Sequence, residues 1–347
     1  MMKFGIIGSG SWGTALAKIL TDNKNHINWW LRSDSNISSF KSRRHNPQYL
    51  RNAFFDTSLI SFSTSAEEVI NNSDTVIIVV PSAFADETLG GLPKNIFKNK
   101  KIISAVKGII PERNVLLNEY LKTEFGFQLK NYFTVLGPCH AEEVAAEKLS
   151  YLTFTGIDEA LTREISYHFQ TPYLNTLHNT DIYGVQYAAI LKNIYAIAAG
   201  IAHGLDYGDN FLSVLIANSA DEMAGFLRKA GIQNVEVGSI EHHAMNQKEK
   251  PRTNYAASVY LGDLLVTCYS LYSRNRTFGN MIGKGYSVQS AQLEMNMVAE
   301  GYNASKCMFL INEKVKAEMP IAETIYKILW NGMAADKGFE EIEKNLV

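Results

Sequence analysis

The sequence has few cysteines, and their arrangement does not suit a disulfide-stabilised protein. Its 347 residues include three of them, Cys139, Cys268 and Cys307, which lie far apart along the chain. A sparse, odd-numbered set is typical of a reducing compartment and argues against a disulfide framework. The sequence also lacks a Cys, His and carboxylate set at metal-ligand spacing. The adjacent His242 and His243 would point in different directions, so we expect no metal site.

The chain also lacks an excess of charge and a long apolar run. Its formal net charge is −2, with 33 basic and 35 acidic residues, which gives no argument for nucleic acid or an anionic membrane as partner. No stretch of about 18 apolar residues predicts a transmembrane helix, and the first residues do not form a signal peptide. We therefore expect a cytoplasmic protein with neither a membrane nor a nucleic-acid partner.

In its first half, the chain alternates short apolar runs with helical patterns. The runs are rich in Ile and Val, and turn residues follow them. Five of them predict strands, at Lys3–Gly8, Ile27–Arg32, Asp74–Val80, Lys101–Val106 and Tyr132–Leu136. Strands that alternate with helices indicate a doubly wound α/β fold with a parallel sheet, as in Rossmann-like domains.

The second half is dominated by helical patterns. Ala188–Ala202 predicts a strongly apolar helix, and Leu261–Tyr272 and Ser290–Phe309 predict two more. The polar stretch Glu241–Thr253 is typical of a surface loop or a short exposed helix. We therefore expect two domains, an α/β domain over residues 1–180 and an all-α domain over residues 181–347.

A glycine-rich turn follows the first predicted strand. Gly8, Gly10 and Gly13 form a G-x-G-x-x-G pattern that opens a helix, which is the context that a dinucleotide-binding turn requires. The first glycine allows a tight turn, the second lets the backbone approach a pyrophosphate, and the third lets the helix pack close to the strand. Because the helix start offers unpaired N–H groups and a positive dipole end, the turn predicts a nicotinamide dinucleotide cofactor.

The end of the second predicted strand carries Arg32 and Ser33. A carboxylate at this point binds the ribose 2′-hydroxyl of NAD, whereas an Arg accommodates the 2′-phosphate of NADP. The sequence therefore predicts that NADPH is preferred. Asp34 follows closely, so use of NADH stays open.

Three further segments place basic residues where a substrate could bind. Lys107 ends a predicted strand, Lys192 lies within the apolar helix, and Asp263 precedes the run Ser273–Arg276. An apolar helix can lower the pKa of a Lys toward values useful for proton transfer, and Arg forms a fork that suits phosphate. Each segment also has an ordinary explanation when it is taken singly. Lys107 would lie in a solvated turn, the aliphatic stem of Lys192 would extend to the surface, and the run Ser273–Arg276 would be a solvated helix end. Together they indicate a dehydrogenase for a phosphorylated ketone or alcohol.

A series of short motifs shows that the chain resembles the bacterial-type NAD(P)-dependent glycerol-3-phosphate dehydrogenases along nearly its whole length. The matching motifs are GSGSWGTALA at 8–17, NPQYL at 46–50, VP at 80–81, KG at 107–108, GPCHAEEV at 137–144, GVQ at 184–186, LKNIYAIAAGI at 191–201, GLDYGDN at 204–210, LGDLLVTC at 261–268, SRNRTFG at 273–279, VAEG at 298–301 and MPI at 319–321. The resemblance implies reversible reduction of dihydroxyacetone phosphate to sn-glycerol 3-phosphate, a role in phospholipid biosynthesis, and a homodimer.

The resemblance also implies roles for individual residues. Lys192 matches the proton-transfer lysine, Lys107 contacts substrate and cofactor, and Asp263 lies on the substrate side. The substrate-binding positions are completed by Gly137, Cys139, Ser273, Arg274 and Asn275. Beyond the three glycines, the cofactor positions are Ser11, Trp12, Arg32, Lys107, Ala141, Arg274, Val298 and Glu300.

The sequence departs from the family pattern at three points. Cys139 replaces a usual Ser, Tyr187-Ala188-Ala189 replaces a pair of glycines, and 254–260 replaces a glycine-rich approach to Gly262. These changes leave the charged residues in place but can reshape a pocket. Two alternatives therefore stay open: a two-domain dehydrogenase for another small keto or hydroxy phosphate or acid, and a dinucleotide-binding sensor without catalysis.

Overall fold

The computed structural model describes residues 2–232, 259–295 and 299–346, and the chain forms two compact units. The first unit comprises Met1–Val106 and Val115–Ile182, and the second comprises Lys107–Asn114 and Tyr183–Val347. The short segment that begins at Lys107 thus belongs to the second unit, although it precedes the boundary expected near residue 180. The polar stretch Glu241–Thr253, with His242 and His243, and most of the altered segment 254–260 lie outside the described residues.

The first unit is built on one sheet of eight strands. The strands are β1 (Phe4–Ile7), β2 (Ile27–Trp30), β3 (Ile60–Ser63), β4 (Thr75–Ile78), β5 (Lys101–Ser104), β6 (Tyr132–Leu136), β7 (Ser150–Thr155) and β8 (Leu174–Asn179). Their order across the sheet is β3-β2-β1-β4-β5-β6-β7-β8. All neighbours are parallel except β6 and β7, which are antiparallel. The predicted doubly wound sheet is confirmed.

Seven helices accompany these strands in the first unit. They are α1 (Ser11–Asp22), α2 (Asp34–Arg43), α3 (Ala66–Asn71), α4 (Ala85–Leu89), α5 (Leu117–Phe125), α6 (Ala141–Ala145) and α7 (Glu159–Tyr167). Strand β1 is an interior strand, with Phe4 in register with Ile27 of β2 and Thr75 of β4. The strand order reverses between β1 and β4, because β2 and β3 lie on one side of β1 and β4 lies on the other. At such a switch point ligands bind beyond the carboxyl ends of the strands.

The five predicted strands are all present, and β3, β7 and β8 are additional. Strand β3 reads ISFS and β8 reads LNTLHN, and both lie at the edges of the sheet with several side chains partly exposed. Strand β7 reads SYLTFT, in which Ser and Thr occupy buried positions. Edge strands need little apolar sequence, and buried Thr looks polar in a pattern search, so the alternation rule did not find these strands.

The second unit is helical in its described part. Its helices are α8 (Ile182–Gly204), α9 (Asp209–Lys229), α10 (Leu261–Tyr269), α11 (Arg274–Gly283), α12 (Val288–Glu294), α13 (Glu300–Val315), α14 (Pro320–Trp330) and α15 (Ala335–Glu343). By length and composition α8 could cross a membrane, but 94% of its most apolar window is buried inside the protein. It serves as the core helix around which the second unit packs.

Glycines set the close approach of α8 to α11. A Cβ added at Gly200 would overlap the carbonyl oxygen of Arg276, and one added at Gly279 would overlap the carbonyl oxygen of Ile197. Gly204 and Gly283 meet in the same way one turn further along. Because neither helix carries side chains along this line, their backbones come into direct contact, and polar residues near the start of α11 reach α8.

One helical prediction was wrong. Ser290–Phe309 was expected to form a single helix, but α12 ends at Glu294 and α13 begins at Glu300. The flanking residues Met295 and Ala299 have extended backbone angles, which end one helix and begin the next. The apolar spacing of this stretch continues across the break, and spacing alone does not reveal a change of backbone direction.

Candidate active site

The glycine-rich turn of the first unit connects β1 to α1. Gly8 has φ +131°, in the region that favours glycine, and a Cβ there would lie 2.7 Å from the carbonyl oxygen of Val79. A Cβ at Gly13 would overlap the carbonyl oxygen of Gly8. These two glycines are therefore required by the close packing of the turn, α1 and the chain after β4.

Gly10 differs from its two neighbours because it borders open space. A Cβ there would meet no atom within 4 Å. Gly10 is also the N-cap residue of α1, and no side chain caps this helix end. The N–H group of Ser11 at the helix start is thus available to a ligand, and a pyrophosphate fits both the space and the dipole of the helix. Ser11 and Trp12 are the first residues of α1, and both are partly exposed.

Arg32 lies two residues beyond β2 and is exposed. Its neighbour Ser33 caps α2, and the Ser33 hydroxyl accepts a hydrogen bond from the Asn36 N–H at 3.3 Å. The cap fixes the backbone immediately after Arg32, next to the positive end of the α2 dipole. Arg32 and the start of α2 therefore place two positive features next to each other beyond β2.

The loop after β6 carries three of the predicted site residues. Gly137 has φ +144°, and a Cβ there would lie 2.9 Å from the carbonyl oxygen of Tyr151. The Cys139 thiol donates to the same oxygen, with Sγ and O 3.0 Å apart, and the residue is 5% exposed. Ala141 is buried at the start of α6. Gly137 and Cys139 therefore both lie close to the carbonyl oxygen of Tyr151 in β7.

In the second unit, a buried lysine and a buried aspartate form an ion pair. Lys192 of α8 is 3% exposed and Asp263 of α10 is 1% exposed, and Lys192 Nζ contacts Asp263 Oδ1. The Thr267 hydroxyl lies one turn along α10, 2.6 Å from the Asp263 carbonyl oxygen. Within the described ranges, Asp263 Oδ2 is buried and accepts no hydrogen bond. A buried carboxylate oxygen without a donor is suited to bind a hydroxyl group of a ligand.

The Asp263 carboxylate favours the ammonium form of Lys192, whereas burial of the lysine acts in the opposite direction. The two carboxylate oxygens of Asp263 thus differ: Oδ1 pairs with Lys192, and Oδ2 is available to a hydroxyl group of a ligand.

A chain of carboxamides connects the lysine segments of the second unit. Asn193 Nδ2 donates to the carbonyl oxygen of Lys107 at 3.2 Å, and Asn275 Nδ2 donates to Asn193 Oδ1 at 2.9 Å. Asn275 Oδ1 in turn accepts from the Gly301 N–H at 2.9 Å. We call these four residues the asparagine ladder. It fixes the turn at Lys107 relative to the residue that follows Lys192, and sequence reasoning did not identify Asn193 as part of the site.

The phosphate-binding candidates lie at the start of α11. Ser273 is 3% exposed, and its hydroxyl accepts from the Arg276 N–H at 3.3 Å, so it caps the helix. Arg274 is exposed at the first helical position. Asn275 is 7% exposed and uses Oδ1 and one N–H in the asparagine ladder, which leaves a second N–H on Nδ2. A phosphate here would meet Arg274, that N–H and the dipole of the helix.

Two cofactor candidates lie near the start of α13. Glu300 is its first residue and is partly exposed, whereas Val298 lies outside the described residues. Throughout residues 2–232, 259–295 and 299–346, no group of three or more His, Cys, Asp and Glu residues is arranged to hold a metal ion. The segment Tyr187-Ala188-Ala189, which departs from the family pattern, lies within α8. Ala188 and Ala189 are fully buried, and the ring of Tyr187 packs on Phe226.

A second buried carboxylate lies in the same unit. Glu222 of α9 accepts from the N–H groups of Ile321 and Ala322, at 2.8 and 3.0 Å, and from the Tyr195 hydroxyl at 3.1 Å. It therefore caps α14 from another helix. Burial raises the pKa of Glu222 to about 7, although these hydrogen bonds act in the opposite direction. Burial likewise raises the pKa of the Cys268 thiol to about 12, so this cysteine is not a nucleophile.

Comparison with known proteins identifies the family of the chain. Residues 3–161 match the N-terminal domain and residues 181–340 the C-terminal domain of NAD-dependent glycerol-3-phosphate dehydrogenase. The chain is 35% identical to glycerol-3-phosphate dehydrogenase (NAD(P)+) of Bacillus cytotoxicus, over 96% of this chain and 92% of that protein. It is 33% identical to the Bacillus subtilis enzyme of the same name, over 99% and 94%.

Among solved structures, glycerol-3-phosphate dehydrogenase from Coxiella burnetii superposes with a TM-score of 0.83 at 25% identity, covering 98% of both chains. The structure of DsGPDH of Dunaliella salina superposes with the same TM-score at 18% identity, covering 98% of this chain and 60% of that chain, and supports the fold alone. The matches extend over both units and contain every described residue of the candidate site. The chain belongs to the NAD-dependent glycerol-3-phosphate dehydrogenase family.

Proposed function

We propose that this chain is an NAD(P)-dependent sn-glycerol-3-phosphate dehydrogenase that reversibly reduces dihydroxyacetone phosphate to sn-glycerol 3-phosphate. Relatives that carry this activity in their names align over nearly the whole chain. The observation that carries the proposal most directly is the buried ion pair of Lys192 and Asp263, which offers a proton donor and a hydroxyl acceptor side by side. A sensor without catalysis has no need of such a pair, because burying two charges is costly.

In the reduction, Lys192 acts as an ammonium group that donates its proton to the oxygen of the substrate carbonyl. When bound, the nicotinamide supplies hydride to the carbonyl carbon. Lys107 adds positive charge near the same oxygen as negative charge develops there. Asp263 keeps Lys192 in the charged form through Oδ1 and accepts from a substrate hydroxyl through Oδ2.

The substrate phosphate binds at the start of α11 in this proposal. Arg274 provides the charge, and Asn275 and the capped helix end provide N–H donors. Ser273 contributes by capping the helix from a buried position. A phosphate held at this point would hold the rest of the substrate in place for reaction, which favours a phosphorylated substrate.

In the oxidation, Lys192 accepts the proton from the hydroxyl of glycerol 3-phosphate and must first be neutral. Burial and the positive charge of Lys107 favour the neutral form, whereas Asp263 opposes it. Oxidation therefore requires Lys192 to lose a proton beforehand, whereas reduction does not. We propose, from the resemblance to the family, that the glycerol 3-phosphate it forms supplies glycerophospholipid synthesis.

For the cofactor, we propose that NADPH is preferred and NADH accepted. The support is Arg32, exposed beyond β2 beside the capped start of α2. The remaining cofactor residues are proposed by their match to the family; they are Ser11, Trp12, Ala141, Val298 and Glu300. The assignment of Val298 rests on the sequence, because that residue lies outside the described ranges.

A comparison of substrates tests the proposed function. NADPH consumption is measured with dihydroxyacetone phosphate, with unphosphorylated dihydroxyacetone and with small 2-keto acids. We expect kcat/KM for the phosphorylated ketone to exceed the others by at least about 10³, since the phosphate site supplies binding energy that the other compounds cannot use. Activity mainly on a keto acid would instead favour the related two-domain dehydrogenase for another small substrate.

We further propose that the enzyme is a cytoplasmic homodimer. The support is a group of exposed apolar side chains on and beside α9 and α10: Val214, Leu265, Tyr269 and Leu271. Leu271 is 84% exposed, and a group of exposed apolar side chains is typical of a surface that a partner covers. Light scattering after size exclusion should give twice the mass of the chain, and Leu271→Asp should shift the population toward the monomer. A wild-type monomer would reject the proposal.

A further inference from the structure

Three consecutive carbonyl groups of the glycine-rich turn are each held by a side chain. The indole N–H of Trp29 donates to the Gly8 oxygen at 3.0 Å, and Asn46 Nδ2 donates to the Ser9 oxygen at 3.1 Å. The Thr14 hydroxyl donates to the Gly10 oxygen at 2.9 Å. Trp29 and Thr14 are fully buried, and Asn46 is 3% exposed. The donors are therefore fixed parts of the first unit.

Asn46 is the centre of this arrangement because all of its hydrogen-bonding capacity is used. Nδ2 also donates to the Thr14 hydroxyl at 2.8 Å, so it supports two of the three contacts. Its Oδ1 accepts from the N–H groups of Gln48 and Tyr49 at 3.0 and 3.2 Å. Asn46 thus joins the segment after α2 to the turn, and its carboxamide cannot rotate without losing several bonds.

The three held oxygens determine where the neighbouring N–H groups point. In a trans peptide the C=O of one residue and the N–H of the next point in opposite directions. Holding the oxygens of Gly8, Ser9 and Gly10 toward the protein therefore directs the N–H groups of Ser9, Gly10 and Ser11 away from it. In the described part of the chain these three N–H groups donate to no protein acceptor. A Cβ added at Gly10, the middle residue of the three, would meet no atom within 4 Å, so there is room for a ligand there.

We propose that Asn46 is a positioning residue for the pyrophosphate of the cofactor. It presets the N–H groups of Gly10 and Ser11 so that binding the pyrophosphate requires no rotation of the turn. The Asn46 contacts to the Ser9 oxygen and to Thr14 carry this role. The proposal rests on the function proposed above, in that the turn must bind a dinucleotide. Asn46 is the first residue of the NPQYL motif at 46–50, which matches the family, and the proposal gives that residue a role.

The test compares Asn46→Ala with Asn28→Ala. Asn28 is a matched control, because its Nδ2 also donates two hydrogen bonds within the first unit, to the Asn72 oxygen and the Ser73 hydroxyl, both at 3.0 Å. It lies at the amino end of β2, away from the turn. Dissociation constants are measured for NADPH and for 2′-AMP, which carries the 2′-phosphate but no pyrophosphate.

We expect Asn46→Ala to weaken NADPH about tenfold or more while 2′-AMP binding stays unchanged, and the KM for NADPH to rise with little change in kcat. Asn28→Ala should bind both ligands as the wild type does, even where its thermal stability falls equally. Thr14→Val, which keeps the side-chain shape but removes the hydroxyl, should also weaken NADPH selectively and serves if Asn46→Ala does not fold. NADPH affinities within about twofold of Asn28→Ala for both variants would overturn the proposal. A wild type that binds no NADPH would instead reject the proposed function itself.

Discussion

Lys192 and Asp263 form an ion pair in which both side chains are almost completely excluded from solvent. Removing one partner leaves a buried charge uncompensated, which costs about 3–5 kcal/mol in comparable pairs, whereas replacing both by apolar residues can cost little. We predict that Lys192→Met and Asp263→Leu each lower the free energy of unfolding by this amount. The double variant should lose much less than the two losses added together.

All three variants should lack turnover, because the pair is proposed to act on the substrate. Urea unfolding and steady-state rates on the four proteins complete the cycle. If the two residues did not interact, the losses in free energy of unfolding of the single variants would add up in the double variant. That result would contradict the proposal that Asp263 keeps Lys192 charged.

Gly301 sets the contact between α13 and α8. A Cβ there would lie 2.5 Å from the carbonyl oxygen of Asn193, and the Gly301 N–H donates to Asn275 in the asparagine ladder. We predict that Gly301→Ala forces the helices apart, lowers the thermal midpoint and reduces kcat/KM for dihydroxyacetone phosphate by about tenfold or more.

Gly225 is the matched control, because it lies within α9 and a Cβ there would meet nothing within 4 Å. Gly225→Ala should stabilise the protein by about 0.4–1 kcal/mol through the higher helix propensity of alanine, with unchanged kinetics. Equal effects of the two substitutions would mean that the Gly301 contact is not constrained as described.

Glu222 should make the stability of the protein fall between about pH 5 and pH 7. Burial raises its pKa from 4.5 to about 7, so the folded state holds a proton that the unfolded state has lost over this range. Its contribution is fully present below the unfolded pKa and disappears as the pH rises through about 7. The shift corresponds to roughly 3 kcal/mol.

Glu222→Gln, which cannot ionise, should remove this part of the pH dependence. It should also lose one of the two α14 cap bonds, because an amide has only one accepting oxygen. Urea unfolding at several pH values measures both effects, with the half-exposed Glu341→Gln as control. An identical pH slope in wild type and Glu222→Gln would show that Glu222 titrates normally.

Arg32 should determine the preference for NADPH. Replacing it with Gln removes the positive charge beside the start of α2 but keeps hydrogen-bonding capacity. We predict that kcat/KM falls about tenfold to a hundredfold for NADPH and changes little for NADH. A wild type with a strong NADH preference, or a variant that loses both cofactors equally, would contradict the assignment.

The sequence predicted those features that depend on neighbours along the chain. Strand β1, the turn at Gly8 and the start of α1 follow one another in a recognisable order, so their fold and ligand could be inferred together. Lys192 was identifiable because a lysine in an apolar helix is unusual. The helix break after Glu294 was missed because the apolar spacing continues on both sides of it.

Features that depend on contacts between distant segments could not be predicted in the same way. The ladder role of Asn193 depends on how closely α8 and α11 approach, which glycines on both helices allow. The contact of Asn46 with the Ser9 oxygen depends on the path of the chain after α2. Neither contact leaves a pattern in its own segment, so only the folded structure reveals it.

The most direct test of the central claim is the turnover of Lys192→Ala with dihydroxyacetone phosphate and NADPH, measured beside its NADPH affinity. Lys327→Ala, which removes a partly exposed lysine from α14 in the same unit, is the control. We predict that Lys192→Ala loses turnover by about 10² to 10⁴ and retains NADPH binding, while the control behaves as the wild type. Turnover of Lys192→Ala within a few fold of the wild type would contradict the assignment of Lys192 as the proton donor.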